Sequence, residues 1–267
     1  MTNAIVLGQF VPGDSPVHRL DPRTKILAMI AYIVLVFLVR AMPVFAVPLL
    51  FVLGALLVSG VPARYALSSL RPMRWLIAFM FLINLFFTQG DRVLFSWWII
   101  RVTAEGLRQA VFISLRLILL VAGTSLLTLT TSPIALTDGL ERLLKPLKRI
   151  RFPAHELAMM MTIALRFIPT LLEETERIRK AQMARGADFE TGGLLARARA
   201  MVPLLVPLFV SAFRRADELA MAMESRCYHG GEGRTRMHEL HYARRDLLAA
   251  LLIALLLAAV PVIQLWI

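Results

Sequence analysis

Two arginines stand in a setting suited to docking rather than to catalysis. Arg185 lies between Ala184 and Gly186, and Arg226 between Ser225 and Cys227, 41 positions later. At both places turn-prone sequence follows (Gly192-Gly193 after the first, Gly230-Gly231-Glu232-Gly233 after the second). A small residue on each side removes bulk and lets a helix tip enter a groove. The guanidinium then leads, presenting five N–H donors to carboxylates or carbonyls. Gly186 suits the left-handed residue that closes a helix. One such arginine would read as an ordinary cation offsetting the C-terminal end of a helix dipole; two, on consecutive helices, point to docking. Other chemistry is sparse. His238-Glu239-Leu240-His241 is one residue short of the His-Glu-x-x-His zinc motif and has no evident third ligand, so it reads as a solvated linker. No Gly-Lys pair occurs, so no Gly-x-x-x-x-Gly-Lys-Ser/Thr phosphate loop exists in the chain.

The elements that must position these arginines belong to a membrane protein. Hydrophobic residues make up 58% of the 267, and mean hydropathy is +0.69, yet the formal charge is +12. Soluble basic proteins that bind nucleic acid do not carry so much apolar sequence, and that class is set aside. A crossing helix needs about 20 apolar residues. Five stretches approach or meet this: roughly 25–42, 43–63, 72–89, 106–131 and 247–267. Asp21-Pro22 opens the first as an N-cap followed by proline at the first helical position. That run begins too late, and lacks the small-residue cleavage site, for a signal peptide. Trp266 sits where an interfacial anchor is expected. With the N-terminus inside, fifteen Lys and Arg flank inner span ends, against four (Arg40, Arg92, Arg101 and Arg108) outside. The positive-inside rule therefore places the N-terminus in the cytoplasm and the C-terminus outside. The single cysteine, Cys227, excludes an internal disulfide framework.

Residues 132–246 break the pattern. Leu157–Leu172 is apolar but contains Arg166 and Pro169 and runs into Glu173-Glu174-Thr175-Glu176-Arg177; Met201–Phe213 is broken by Pro203 and Pro207. Stretches this short lie in or below the interface more often than they cross it. The expected fold class is all-α, with about five transmembrane helices and a helical cytoplasmic domain between spans four and five, opened by an amphipathic helix over 138–150. The division is 1–131, 132–246 and 247–267. The competing arrangement makes both stretches true spans, seven in all. Arg116, well inside the fourth span, would cost about 2.5–3.5 kcal/mol if turned toward lipid. A contact to a carbonyl or another helix is expected, ahead of a substrate pathway. Thr124, Ser125, Thr128, Thr130 and Thr131 read as helix-packing residues.

At the two arginine tips the chain resembles the T component of energy-coupling factor (ECF) transporters, the transmembrane scaffold of prokaryotic vitamin and metal-ion importers. Ala184-Arg185-Gly186 matches that family's helix-end motif, and Ser225-Arg226-Cys227 matches it less closely. The resemblance extends to Pro12-Gly13-Asp14-Ser15-Pro16, to His18-Arg19-Leu20-Asp21-Pro22-Arg23-Thr24-Lys25, and to Tyr228-His229-Gly230-Gly231-Glu232-Gly233-Arg234-Thr235. It implies a non-catalytic subunit of the plasma membrane whose coupling-helix tips dock into two cytoplasmic ABC ATPases. Those partners bind ATP and Mg, no cofactor being held by this chain. Their cycle reorients a membrane-embedded, substrate-binding S component. Where serine and cysteine replace alanine and glycine, the second helix end is expected to be less sharply set, since cysteine tolerates the left-handed conformation worse than glycine. Eight of 13 methionines fall in 132–246. Met159, Met160 and Met161 with Ile163 are read as an adaptable platform under exchangeable S components, plain helix packing being the equal alternative.

The rival classes are a self-contained secondary transporter or an intramembrane enzyme. An enzyme needs convergent nucleophile, base or metal ligands inside the spans, and the spans offer no Asp, Glu or His apart from the boundary Glu105 and Asp246. Repeated halves around broken spans, the mark of many secondary transporters, are not evident.

Overall fold

The computed structural model describes residues 10–90, 92–97, 100–146, 152–189, 193–230 and 241–266. Among these, the chain is helical throughout apart from one short ribbon. The order is α1 (Pro22–Leu38), a 3₁₀ turn (Met42–Phe45), α2 (Ala46–Ser59), α3 (Ala63–Ser68), α4 (Arg74–Phe87), β1 (Val93–Trp97), β2 (Ile100–Thr103), α5 (Ala104–Thr130), α6 (Pro133–Leu144), α7 (Ala154–Ala184), α8 (Leu194–Ser225) and α9 (Arg244–Trp266). The antiparallel β1–β2 ribbon, Val93 opposite Thr103, was not legible in the sequence. The chain divides into two compact units, Met1–Leu143 with Glu239–Ile267, and Leu144–His238.

The first unit is organised around α1. Asp21 caps it, accepting from the Arg23 amide at 2.8 Å, with Pro22 at the first helical position as the sequence implied. α5 runs antiparallel to α1. Lys25 Nζ donates to the Thr130 carbonyl at 3.0 Å, the Tyr32 hydroxyl to the Leu119 carbonyl at 2.8 Å, and Arg116 Nη2 to the Val39 carbonyl at 2.7 Å. α9 runs parallel to α1, with Asp246 meeting Asp21 at the start and Gln264 meeting Leu38 at the end. Between these polar ends lies the apolar core, centred on Tyr32, Leu35, Val36, Val39, Phe45, Val52, Leu119 and Val260.

Arg116 fulfils the expectation of a carbonyl contact, and the reason is local. Val39 follows the last residue of α1, and the amide that would take its carbonyl in a continuing helix belongs to Pro43, which has no N–H. Arg116 supplies the missing donor and lies over the Phe112 ring, 4.8 Å from its centroid.

The close approach of α1 and α5 depends on Gly123. A Cβ there would penetrate the buried Tyr32 ring. Gly123→Ala is therefore expected to destabilise the chain by about 1–3 kcal/mol, read as a lowered unfolding temperature in detergent. Unchanged stability would show that α1 and α5 do not approach this closely.

Span lengths depart from the sequence reading. Among the described residues, four helical segments are long and apolar enough to cross a membrane, by length and composition: Met42–Ser59, α5, α7 and α9. α4 is apolar but only 14 residues long, about 21 Å at 1.5 Å per residue, and α1 has 17. α7, expected to stay out of the count, enters it because the helix continues through Arg166 and Pro169 without a break. α6 begins at Pro133 rather than 138. Ser132 sets this start, its hydroxyl accepting from the Ala135 amide at 3.2 Å, a Ser-Pro cap signal present in the sequence. α6 also groups with the first unit, although the sequence division places it with 132–246. Gly139 lies so close to Pro22 that an added Cβ would sit 2.9 Å from that ring.

Candidate functional site

The second unit consists of α7 and α8, two helices of 31 and 32 residues. They run antiparallel, with Gln182 opposite Pro203 and Glu174 opposite Arg215. The first of these contacts repairs a defect. Pro207 cannot donate to the Pro203 carbonyl, and Gln182 Nε2 takes that place at 3.4 Å. Arg215 and Glu174 form a half-buried ion pair at 3.4 Å. It fixes register more than it stabilises, since such pairs contribute about 0–1 kcal/mol. Ile163, Phe167, Leu171, Ala212, Leu219 and Met223 line an apolar groove of about 260 Å³ between the helices.

Antiparallel pairing puts the two arginine tips at opposite ends of the unit. Each tip is closed by the same bonds. At the end of α7, the Gly186 amide donates to the Met183 carbonyl at 2.9 Å and the Ala187 amide to the Gln182 carbonyl at 3.0 Å. At the end of α8, the Cys227 amide donates to the Glu224 carbonyl at 2.9 Å and the Tyr228 amide to the Met223 carbonyl at 3.0 Å. Both are Schellman motifs with a left-handed C′ residue, Gly186 at φ 88° and Cys227 at φ 56°. The expectation of a less sharply set second end is thus not met in geometry. Cysteine occupies the same position as glycine and makes the same bonds.

The difference is energetic. Cys227 has the one positive φ outside glycine among the described residues, and the left-handed region costs a residue with a Cβ about 1–2 kcal/mol. Cys227→Gly is expected to stabilise the end of α8 by about 1 kcal/mol and slow amide exchange at Cys227 and Tyr228. Gly186→Ala should speed exchange at the end of α7. Exchange unaltered in both variants would mean that the caps do not form in solution.

Ala184, Arg185, Gly186, Ser225, Arg226 and Cys227 are all exposed, and among the described residues neither arginine side chain makes a hydrogen bond or ion pair. Among the described residues, the guanidiniums at the helix tips have no side-chain or backbone partner. Met160 and Met161 are exposed on α7, while Met159 is half-buried and Ile163 turns into the groove beside Phe167. These four residues therefore do not share one face. A larger exposed apolar stripe, missed in the sequence reading, lies on α8: Val202, Val206, Phe209, Val210 and Phe213. Its signal was the i, i+4 spacing across the two prolines, which the emphasis on methionine passed over. His238 and Glu239 lie outside the described residues, and among those described no three His, Cys, Asp or Glu side chains gather as metal ligands.

A chain that is helical apart from one ribbon, with several membrane-length helices, is that of a multi-helix membrane protein. The family model for the cobalt transport protein CbiQ matches residues 13–238. The chain is also 58% identical over 252 residues, 94% of its length and 95% of the relative's, to the "energy-coupling factor transporter transmembrane protein EcfT" of Thermosediminibacter oceani. Proteins of the same description from Clostridium kluyveri (54% over 265 residues, 99% of this chain and 98% of the relative) and Bacillus subtilis (49% over 246, 92% and 93%) are similarly close. The chain belongs to this family of integral membrane proteins, the transmembrane components of energy-coupling factor transporters.

Proposed function

We propose that the chain is the non-catalytic scaffold that couples ATP hydrolysis in two partner ABC ATPases to reorientation of a membrane-embedded S component, for uptake of a vitamin or metal ion. The observation that carries this reading is the pair of matched helix ends, each presenting an unpartnered arginine beyond an identical cap. Two equivalent tips at opposite ends of one helical pair suit two docking sites on a dimeric motor. ATP and Mg belong to the partners on this reading, and solute binding to the S component, for which the exposed apolar faces of α7 and α8 offer a platform. Residues 132–246 lie on the cytoplasmic side between the spans of 1–131 and 247–267, with the N-terminus inside and the C-terminus outside, as the excess of Lys and Arg at inner span ends supports.

Native purification from membranes in mild detergent, followed by mass spectrometry, tests the proposal. Two ABC ATPase subunits and one further integral membrane partner are the expected companions. A chain that purifies alone and transports solute unaided would overturn it.

A further inference from the structure

Because the two caps match bond for bond, positions on α7 and α8 correspond at an offset of 41, and the comparison isolates what differs between the ends. The last ten residues through the arginine carry Glu176, Arg177, Arg179, Lys180 and Arg185 on α7, a net charge of +3. On α8 they carry Asp217, Glu218, Glu224 and Arg226, a net charge of −2. At matching positions Arg177 corresponds to Glu218, Arg179 to Ala220, Lys180 to Met221 and Met183 to Glu224. Apart from the half-buried Glu176, every one of these charged groups is exposed. Glu176 is engaged by Arg179 and Lys180 at 3.2 and 3.8 Å, and among the described residues the side chains of Arg177 and Arg185 on the α7 end make no ion pair. The antiparallel pairing also lays the exposed Arg197 and Arg199 of early α8 alongside that end. Over these last ten residues, identical caps thus carry collars of opposite net sign.

We propose that the two ends are keyed to grooves of different charge. The α7 end fits a groove rich in carboxylates. The α8 end fits one in which a carboxylate receives Arg226 while basic side chains meet Glu218 and Glu224. This rests on the reading that both ends dock into ATPases, and it adds the chemistry of each docking site. A uniformly acidic groove would welcome the first collar and repel the second. Like charges brought face to face at an interface exclude wrong pairings more strongly than matched charges add affinity. The two docking sites are therefore not interchangeable.

The test uses the full chain in nanodiscs of neutral lipid, titrated with its own ATPases at several salt concentrations. Two double variants are compared with the native chain: Arg177→Ala with Lys180→Ala, and Glu218→Ala with Glu224→Ala. Each is expected to weaken docking at its own end by about three- to tenfold and to flatten its salt dependence. The sign at α8 decides the matter, because removing two acids tightens docking into a uniformly acidic groove, and that result would overturn the proposal. So would unchanged affinity in both variants while Arg185→Glu with Arg226→Glu still releases the ATPases, an outcome that leaves the docking reading intact. Retention of both ATPases by the arginine variant rejects the docking reading itself. If Arg177→Ala with Lys180→Ala lowers binding to phosphatidylglycerol-containing vesicles without changing ATPase affinity, the α7 collar serves the bilayer and the proposal fails.

Discussion

Reversing both tip arginines, Arg185→Glu with Arg226→Glu, is expected to release the partner ATPases and abolish uptake while leaving the chain folded. Both side chains are exposed and unpaired among the described residues, so their loss removes no internal contact. The caps behind them rest on backbone bonds that glutamate does not disturb. On the proposed reading, each guanidinium enters a groove on docking, gives up water and meets an acidic partner. Truncating one member of such a desolvated pair costs about 2–5 kcal/mol. Reversal adds repulsion, so either single variant should lower retention by at least tenfold. Co-purification of the ATPases and solute uptake in whole cells are the measurements. A double variant that holds both ATPases and supports transport would remove the coupling role from these tips.

The second large effect lies far from the tips in sequence. Asp246 is 3% exposed, and its two carboxylate oxygens serve different helices. Oδ1 accepts from the Asp21 amide at 2.8 Å, holding the cap of α1, and Oδ2 accepts from the Ala243 amide at 2.8 Å, closing the first turn of α9. The latter is the reach-back half of a capping box. The charge of Lys25, whose Nζ also donates to the His18 and Thr130 carbonyls at 3.0 Å, acts on the same carboxylate. One acid therefore ties the start of α1 to the start of α9. Asp246→Ala would strand the buried Asp21 amide and remove the acceptor of the Ala243 amide. The expected loss is about 2–3 kcal/mol, since two amide hydrogen bonds to a charged acceptor are removed together. Asp246→Asn, which keeps an acceptor, should lose less. Thermal unfolding in detergent orders the three proteins, and equal stability of Asp246→Ala and the native chain would refute this role.

Legibility in the sequence followed the range of the interactions. The Asp21-Pro22 cap, the course of α5 and α9, and both arginine-tipped ends were readable because each depends on neighbours within a turn or two. The early start of α6 was also readable, from Ser132-Pro133, and was missed. The β1–β2 ribbon and the short α4 were not readable, since nothing local distinguishes 72–89 from a full span. The exposed face of α7 was only partly legible. Periodicity shows that a stretch is apolar, while the partner helix decides which side is covered, and here it turned Ile163 inward and left Met160 and Met161 out.

By itself the sequence determined an all-helical membrane chain with two cation-led helix ends, because hydropathy, caps and small residues act over short distances. Tertiary structure alone decided that Cys227 takes the left-handed position of a glycine, that Arg116 completes the carbonyl Pro43 leaves open, and that Asp246 joins α1 to α9. It also decided that α7 and α8 run antiparallel, so that their tips point apart. Each of these depends on which distant backbone group lacks a partner, and only the packed helices bring the group that satisfies it.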